Sequence, residues 1–152
     1  MRLLPLLLSM LVAMQSFPSQ ATEMNLVEQF ESLVAAKRWA EALPVIKEIV
    51  QSAPSISTSW RNYGVCLDEV GRHQEAAKAF AKAYELQPDD FGTQYRIFRS
   101  LALAGDRQGF ISFAERESRI TPEILELISE AGEFKAMSAT DEFRRLLKNH
   151  GH

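Results

Sequence analysis

With 152 residues, 46% of them hydrophobic, and a formal charge of −3, the chain has the composition of one globular domain. The acidic balance argues against a nucleic-acid binder, which presents basic side chains to the phosphates. A single cysteine, Cys66, excludes an intrachain disulfide, so the fold must rest on packing.

Taken from the start, Arg2 is followed by the uncharged run LLPLLLSMLVAM, Leu3 to Met14. A membrane span takes about 20 residues, so this run is too short to cross a bilayer. A positive start, a short apolar centre and the small-residue exit Ser19-Gln20-Ala21 predict a secretory signal over 1–21, cleaved after Ala21. An uncleaved anchor is the alternative. No cysteine stands at the cleavage point, so a lipid-anchored mature terminus is not expected, and no membrane span remains after cleavage.

Beyond the leader, Pro54, Pro88 and Pro122 recur at a constant step of 34, and each interval holds two segments with the apolar period of a helix, separated by a polar turn. The units run over 23–56, 57–90 and 91–124. In the first, Leu26, Phe30 and Leu33 mark one helix and Trp39, Ala42, Ile46 and Ile49 a second, with Pro44 expected in its first turn. The middle unit reads Trp60-x-x-Tyr63-Gly64-x-x-Leu67, a turn at Gly71, Ala76-x-x-x-Phe80, Ala83 and Pro88. This resembles a tetratricopeptide repeat, with Tyr63 and Leu67 exchanged relative to the usual leucine and tyrosine. Gly64 and Ala76 are expected to let two antiparallel helices approach closely while Trp60 and Phe80 fill the wedges beside them. Ala83 leaves room for the next pair, and Pro88 ends the unit.

The third unit keeps Tyr95, Phe98, Leu101 and the turn Ala104-Gly105-Asp106, but places Phe110 where the middle unit has Ala76, which predicts looser or altered packing there. After Thr121-Pro122, the stretch ILELISEAGEF predicts a helix ending near Gly132. Ser138-x-x-Asp141 reads as a capping box ahead of a last amphipathic helix carrying Phe143, Leu146 and Leu147. Leu103-Ala104-Gly105-Asp106, Phe134, Phe143 and Leu147 resemble the closing segment of many bacterial exported repeat proteins. That resemblance implies a periplasmic setting, with secretion as the second choice. The expected fold is all-α: a short right-handed α-solenoid of about three tetratricopeptide helix pairs, closed by capping helices and a frayed tail over 125–152.

Little in the chain suggests chemistry. His150 and His152 lie in the tail without a third ligand, so no metal is expected. His73 reads as a ring packed at the base of a helix, and Cys66 as a small buried hydrophobe. The pairs Asp68-Glu69, Asp89-Asp90 and Asp141-Glu142 point apart on a helix and read as solvated surface or helix-start charge. No glycine-rich phosphate loop, Gly-x-Ser-x-Gly turn or paired-cysteine motif is present. The expectation is a protein with no catalytic residue and no cofactor, and not an enzyme.

What the family resemblance implies is a binding wall, lined by the first helix of each unit: Val27 and Glu31, then Arg61, Asn62 and Val65, then Tyr95, Arg96 and Arg99. Arg61, Arg96 and Arg99 could offer forked donors to an acidic or C-terminal carboxylate, with plain solvated surface as the alternative. The carboxylate clamp of chaperone-binding relatives is matched only at Asn62 and Arg96, since Val27, Glu31 and Gly92 stand at its other positions. The expected function is a non-catalytic scaffold or adaptor of the bacterial cell envelope that holds a peptide or partner segment. The alternatives are an inhibitor or immunity-type protein that blocks an enzyme, and a self-associating repeat protein using Phe98, Phe110 and Phe113.

Overall fold

The computed structural model describes residues 20–117, 120 and 122–150; the signal run before Gln20, Thr121 ahead of the expected helix and the tail residue His152 lie outside them. Among the described residues there are nine α-helices and no strand. Three antiparallel pairs follow one another: α1 (Gln20–Ala35) with α2 (Trp39–Ser52), α3 (Ser57–Glu69) with α4 (His73–Leu86), and α5 (Phe91–Leu103) with α6 (Arg107–Arg116). Then come α7 (Pro122–Glu130), a 3₁₀ turn at Gly132–Phe134, α8 (Lys135–Ser138) and α9 (Asp141–His150). The architecture is an α-solenoid with a helical C-terminal segment.

Each turn within a pair is built alike. At 37, 71 and 105 the chain takes a positive φ, with Lys37 at 55°, Gly71 at 78° and Gly105 at 70°. That conformation lets the next amide reach back along the helix: Arg38 N donates to Leu33 O at 2.9 Å, Arg72 N to Leu67 O at 2.8 Å and Asp106 N to Leu101 O at 2.9 Å. Glycine adopts it without a Cβ clash, so the first unit carries a strained lysine where the other two carry glycine.

The middle pair packs through Gly64, though its tight neighbour is Phe80 rather than Ala76. A Cβ built on Gly64 would lie 2.7 Å from the Phe80 ring. Gly64, Ala76, Phe80 and Ala83 are all buried. Trp60 is only half-buried and donates from Nε1 to Pro54 O at 2.8 Å, pinning the turn that brings in α3. The Ser57 hydroxyl donates to Ala83 O at 3.0 Å and ties the start of α3 to α4.

Two expectations change. Pro44 sits in the second turn of α2, not the first, so the Ala40 carbonyl lacks the amide that would close its hydrogen bond. The last helix is capped by Thr140, whose hydroxyl accepts from Phe143 N at 3.2 Å, while Ser138 closes α8 and donates to Lys135 O at 3.4 Å.

The third pair is altered rather than loose. Phe98 and Phe110 are fully buried with ring centroids 4.7 Å apart, and Phe110 also meets Phe134 at 6.1 Å and Phe143 at 6.0 Å. The C-terminal segment therefore closes on Phe110. Phe113 packs on Phe98 and on Tyr84, with centroids 5.1 and 6.1 Å away. All three rings have intramolecular cover, which removes the observation that motivated self-association.

Candidate functional site

The side chains expected on the wall fall at equivalent places in successive units. Positions 27, 61 and 95 are steps of 34 apart, as are 31, 65 and 99, and 62 and 96. Equivalent positions on α1, α3 and α5 share a face, so a common surface follows from the repeat itself.

On that surface the structure forms two clefts. The first, of 340 Å³, lies between α1 and α3 at the start of α2; Phe30, Val34, Ala35, Trp39, Val65 and Cys66 line it, with Glu31 and Asn62. Phe30 and Cys66 are buried at its base. Burial and the charge of Glu69 push the Cys66 thiol up to about 11, so it stays protonated and apolar in character. Val27 is 42% exposed and lies outside this cleft.

The second cleft, of 560 Å³, is framed by α5 and α7 and lined by Glu69, Phe91, Gly92, Tyr95, Arg96, Arg99 and Leu127. Phe91 and Leu127 are exposed. Of the expected residues, Glu31, Asn62 and Val65 thus meet in one cleft, and Tyr95, Arg96 and Arg99 in the other.

The three arginines do not act together. Arg61 lines neither cleft and is committed to Asp90, with Nη1 to Oδ2 at 2.9 Å. Arg99 has two internal carboxylates, Asp68 at 3.6 Å and Glu133 at 3.3 Å. Arg96 is exposed, its guanidinium 5.8 Å from the Phe80 ring centroid. A fork of three arginines on one ligand carboxylate is not what the geometry offers. Tyr95 is also occupied: its hydroxyl donates to Glu133 Oε1 at 2.8 Å, and its ring meets Phe134 edge-on at 5.5 Å. Burial and that hydrogen bond raise the Tyr95 phenol above its usual range.

Sequence reasoning missed Asp68. It reads as solvated surface, yet it is buried and accepts from Ser100 Oγ at 2.8 Å, pairs with His73 Nδ1 at 2.9 Å and faces Arg99. A buried carboxylate needs such partners, and here they come from α4 and α5, so Asp68 ties the middle pair to the third. Gln94 Nε2 adds a buried donor to Tyr84 Oη at 2.6 Å. His73 is half-buried at the first turn of α4, as the simple packing reading has it, with the Asp68 contact added. Phe91, Leu127 and Glu133 were missed too. Only Phe91 carries a local signal, as a large apolar residue opening a helix; the places of Leu127 and Glu133 depend on how the C-terminal segment folds back. Among the described residues no group of three or more His, Cys, Asp and Glu side chains is placed to hold a metal ion, and no helix is long and apolar enough to cross a membrane.

Residues 27–91 match the family model described as "Tetratricopeptide repeat". No curated protein matches the chain. Among solved structures it is similar to PcrH in complex with the chaperone binding region of PopD, at 14% identity over 88% of this chain and 93% of that one, with a TM-score of 0.57. It is similar to the Yersinia enterocolitica type III secretion translocator chaperone SycD, at 16% identity over 88% and 86%, with a TM-score of 0.56. The Sgt2 TPR domain from Aspergillus fumigatus is similar at 16% identity over 90% and 81%, with a TM-score of 0.54. At these identities the likeness is one of fold. The matched stretch covers the first two helix pairs, and with the similar structures it supports a tetratricopeptide repeat assignment.

Proposed function

We propose that the protein is a non-catalytic interaction scaffold that holds an extended segment of a partner protein along the face formed by α1, α3 and α5. One observation carries this: two clefts on that face that share repeat-equivalent positions, 62 with 96 and 65 with 99, each combining apolar and polar side chains. The fold is shared with PcrH, which was crystallised with a segment of PopD, and that complex lends support to a groove for a segment. The leader pattern over 1–21 supports an exported, bacterial envelope setting.

Photo-crosslinking in cells tests the reading. A crosslinking side chain at Asn62 or Phe91 is expected to form an adduct with a partner, while one at Lys78, exposed on α4, forms none. Adducts confined to Lys78 would move the partner to the outer surface and favour an enzyme-blocking protein instead. Intact mass of the chain recovered from those cells should lack the leader through Ala21; a full-length mass in the soluble fraction would remove the envelope setting, and one in the membrane fraction would favour the uncleaved anchor.

A further inference from the structure

Two residues of the second cleft, Tyr95 and Arg99, already share a carboxylate supplied by the protein itself. Glu133, on the 3₁₀ turn after α7, accepts from the Tyr95 hydroxyl at 2.8 Å and pairs with Arg99 Nε at 3.3 Å. Its side chain is 38% exposed, so water competes for it and letting it go costs little. Arg96, on the helical turn between Gly92 and Arg99, lines the same cleft and has no ion pair among the described residues. Arg99 is thus shared by Asp68 and Glu133, with Glu69 also in the lining, and Arg96 is the guanidinium of the cleft left to meet a ligand's charge. On either side stand Phe91 at 48% and Leu127 at 43% exposure, large apolar side chains that lack cover. Gly92 belongs to the same lining, and a Cβ there would meet only Asp90 Oδ1, at 3.2 Å.

Resting on the groove reading above, we propose that this cleft recognises a partner segment carrying an acidic residue close to a bulky apolar one, and that Glu133 is an internal stand-in for the acid. The partner's apolar side chain lies between Phe91 and Leu127. Its carboxylate takes the Arg96 guanidinium and competes with Glu133 for Arg99 and the Tyr95 hydroxyl. Glu133 then sets a threshold: a segment without an acid cannot replace what it displaces.

Selection of short, random, displayed peptides on the full chain tests this. Enriched peptides should pair Asp or Glu with Leu, Met or an aromatic residue. Their affinity should fall about tenfold when the peptide acid becomes its amide or when Arg96→Ala is introduced, the scale of one close charge pair. It should rise severalfold in Glu133→Gln, where the stand-in has lost its charge. Arg96 is exposed, so its variant folds, and the peptide-side change leaves the protein untouched. Enriched peptides lacking an acid, or indifferent to both Arg96→Ala and Glu133→Gln, would overturn the chemistry of this cleft and leave the groove standing. No enrichment at all would take the groove with it.

Discussion

The middle and third helix pairs share one repeat spacing and solve the same packing problem in opposite ways. In the middle pair the first helix carries Gly64 and the second carries Ala76 and Phe80; at the equivalent places the third pair has Phe98, Phe110 and Ala114. The ring has changed sides, from Phe80 on the second helix to Phe98 on the first, and the position one helical turn after Phe110 has become small. All of these side chains and Gly64 are buried. Only one ring, Phe110, is left over, and the C-terminal segment uses it, through Phe134 and Phe143. A repeat therefore stays packed while losing its motif, with its extra ring taken up by the C-terminal segment, and the family match ends at residue 91, where the third unit begins.

Breaking the surplus ring gives the largest effect. Phe110→Ala removes a fully buried phenyl group on which two later rings converge, and should destabilise the protein by about 3–5 kcal/mol. Urea unfolding measures it, and limited proteolysis should cut first between α6 and α9. A loss under about 1 kcal/mol would mean that the C-terminal segment closes without Phe110.

The middle pair breaks by addition instead. Gly64→Ala places a methyl 2.7 Å from a buried ring, and overpacking of that kind costs about 1–3 kcal/mol. Shortening the ring in Gly64→Ala/Phe80→Leu should recover part of the loss, so that the double variant is more stable than the sum of the two single changes. Strict additivity would show that the two residues do not share the contact.

The same contrast explains what the sequence made legible. Gly64, Ala76, Phe80 and the evenly stepped prolines located the helices and the turns, because small residues and positive-φ turns are local demands visible one position at a time. Phe110 was noticed as a departure, but its compensation by Phe98 and Ala114 needs all three positions read together. The residues expected on the wall lie on α1, α3 and α5, and Glu31, Asn62 and Val65 share one cleft. The ion pairs of two of the arginines were not legible because their partners are distant along the chain: Arg61 on α3 meets Asp90 at the start of α5, and Arg99 on α5 meets Asp68 before it and Glu133 well after it. No local pattern tells an arginine that awaits a ligand from one that already holds a carboxylate of its own protein.

The smallest difference between the pairs lies at their helix starts. The residues before α3 and α4, Ile56 and Arg72, make no side-chain cap, whereas Asp90 and Asp106 cap α5 and α6 by accepting from Thr93 N at 3.1 Å and Gly109 N at 2.8 Å. Burial pushes the Asp90 carboxyl up, but the Thr93 hydroxyl, the Thr93 amide and Arg61 together hold it below its ordinary 3.8. The Gly109 amide and the Gln74 side chain lower Asp106 against a smaller effect of burial. A carboxyl depressed in the folded state stabilises fully above its unfolded value and loses that contribution as pH falls through the folded one. Asp90→Ala and Asp106→Ala should each cost about 1 kcal/mol at pH 7. Each gap to the wild type should narrow as unfolding is repeated at pH values falling from the ordinary 3.8 through the lower folded value, where the native carboxyls take up their protons. A gap that stays constant into acid would show that the third pair's caps work by hydrogen bonding alone, and that the two pairs differ in geometry but not in charge.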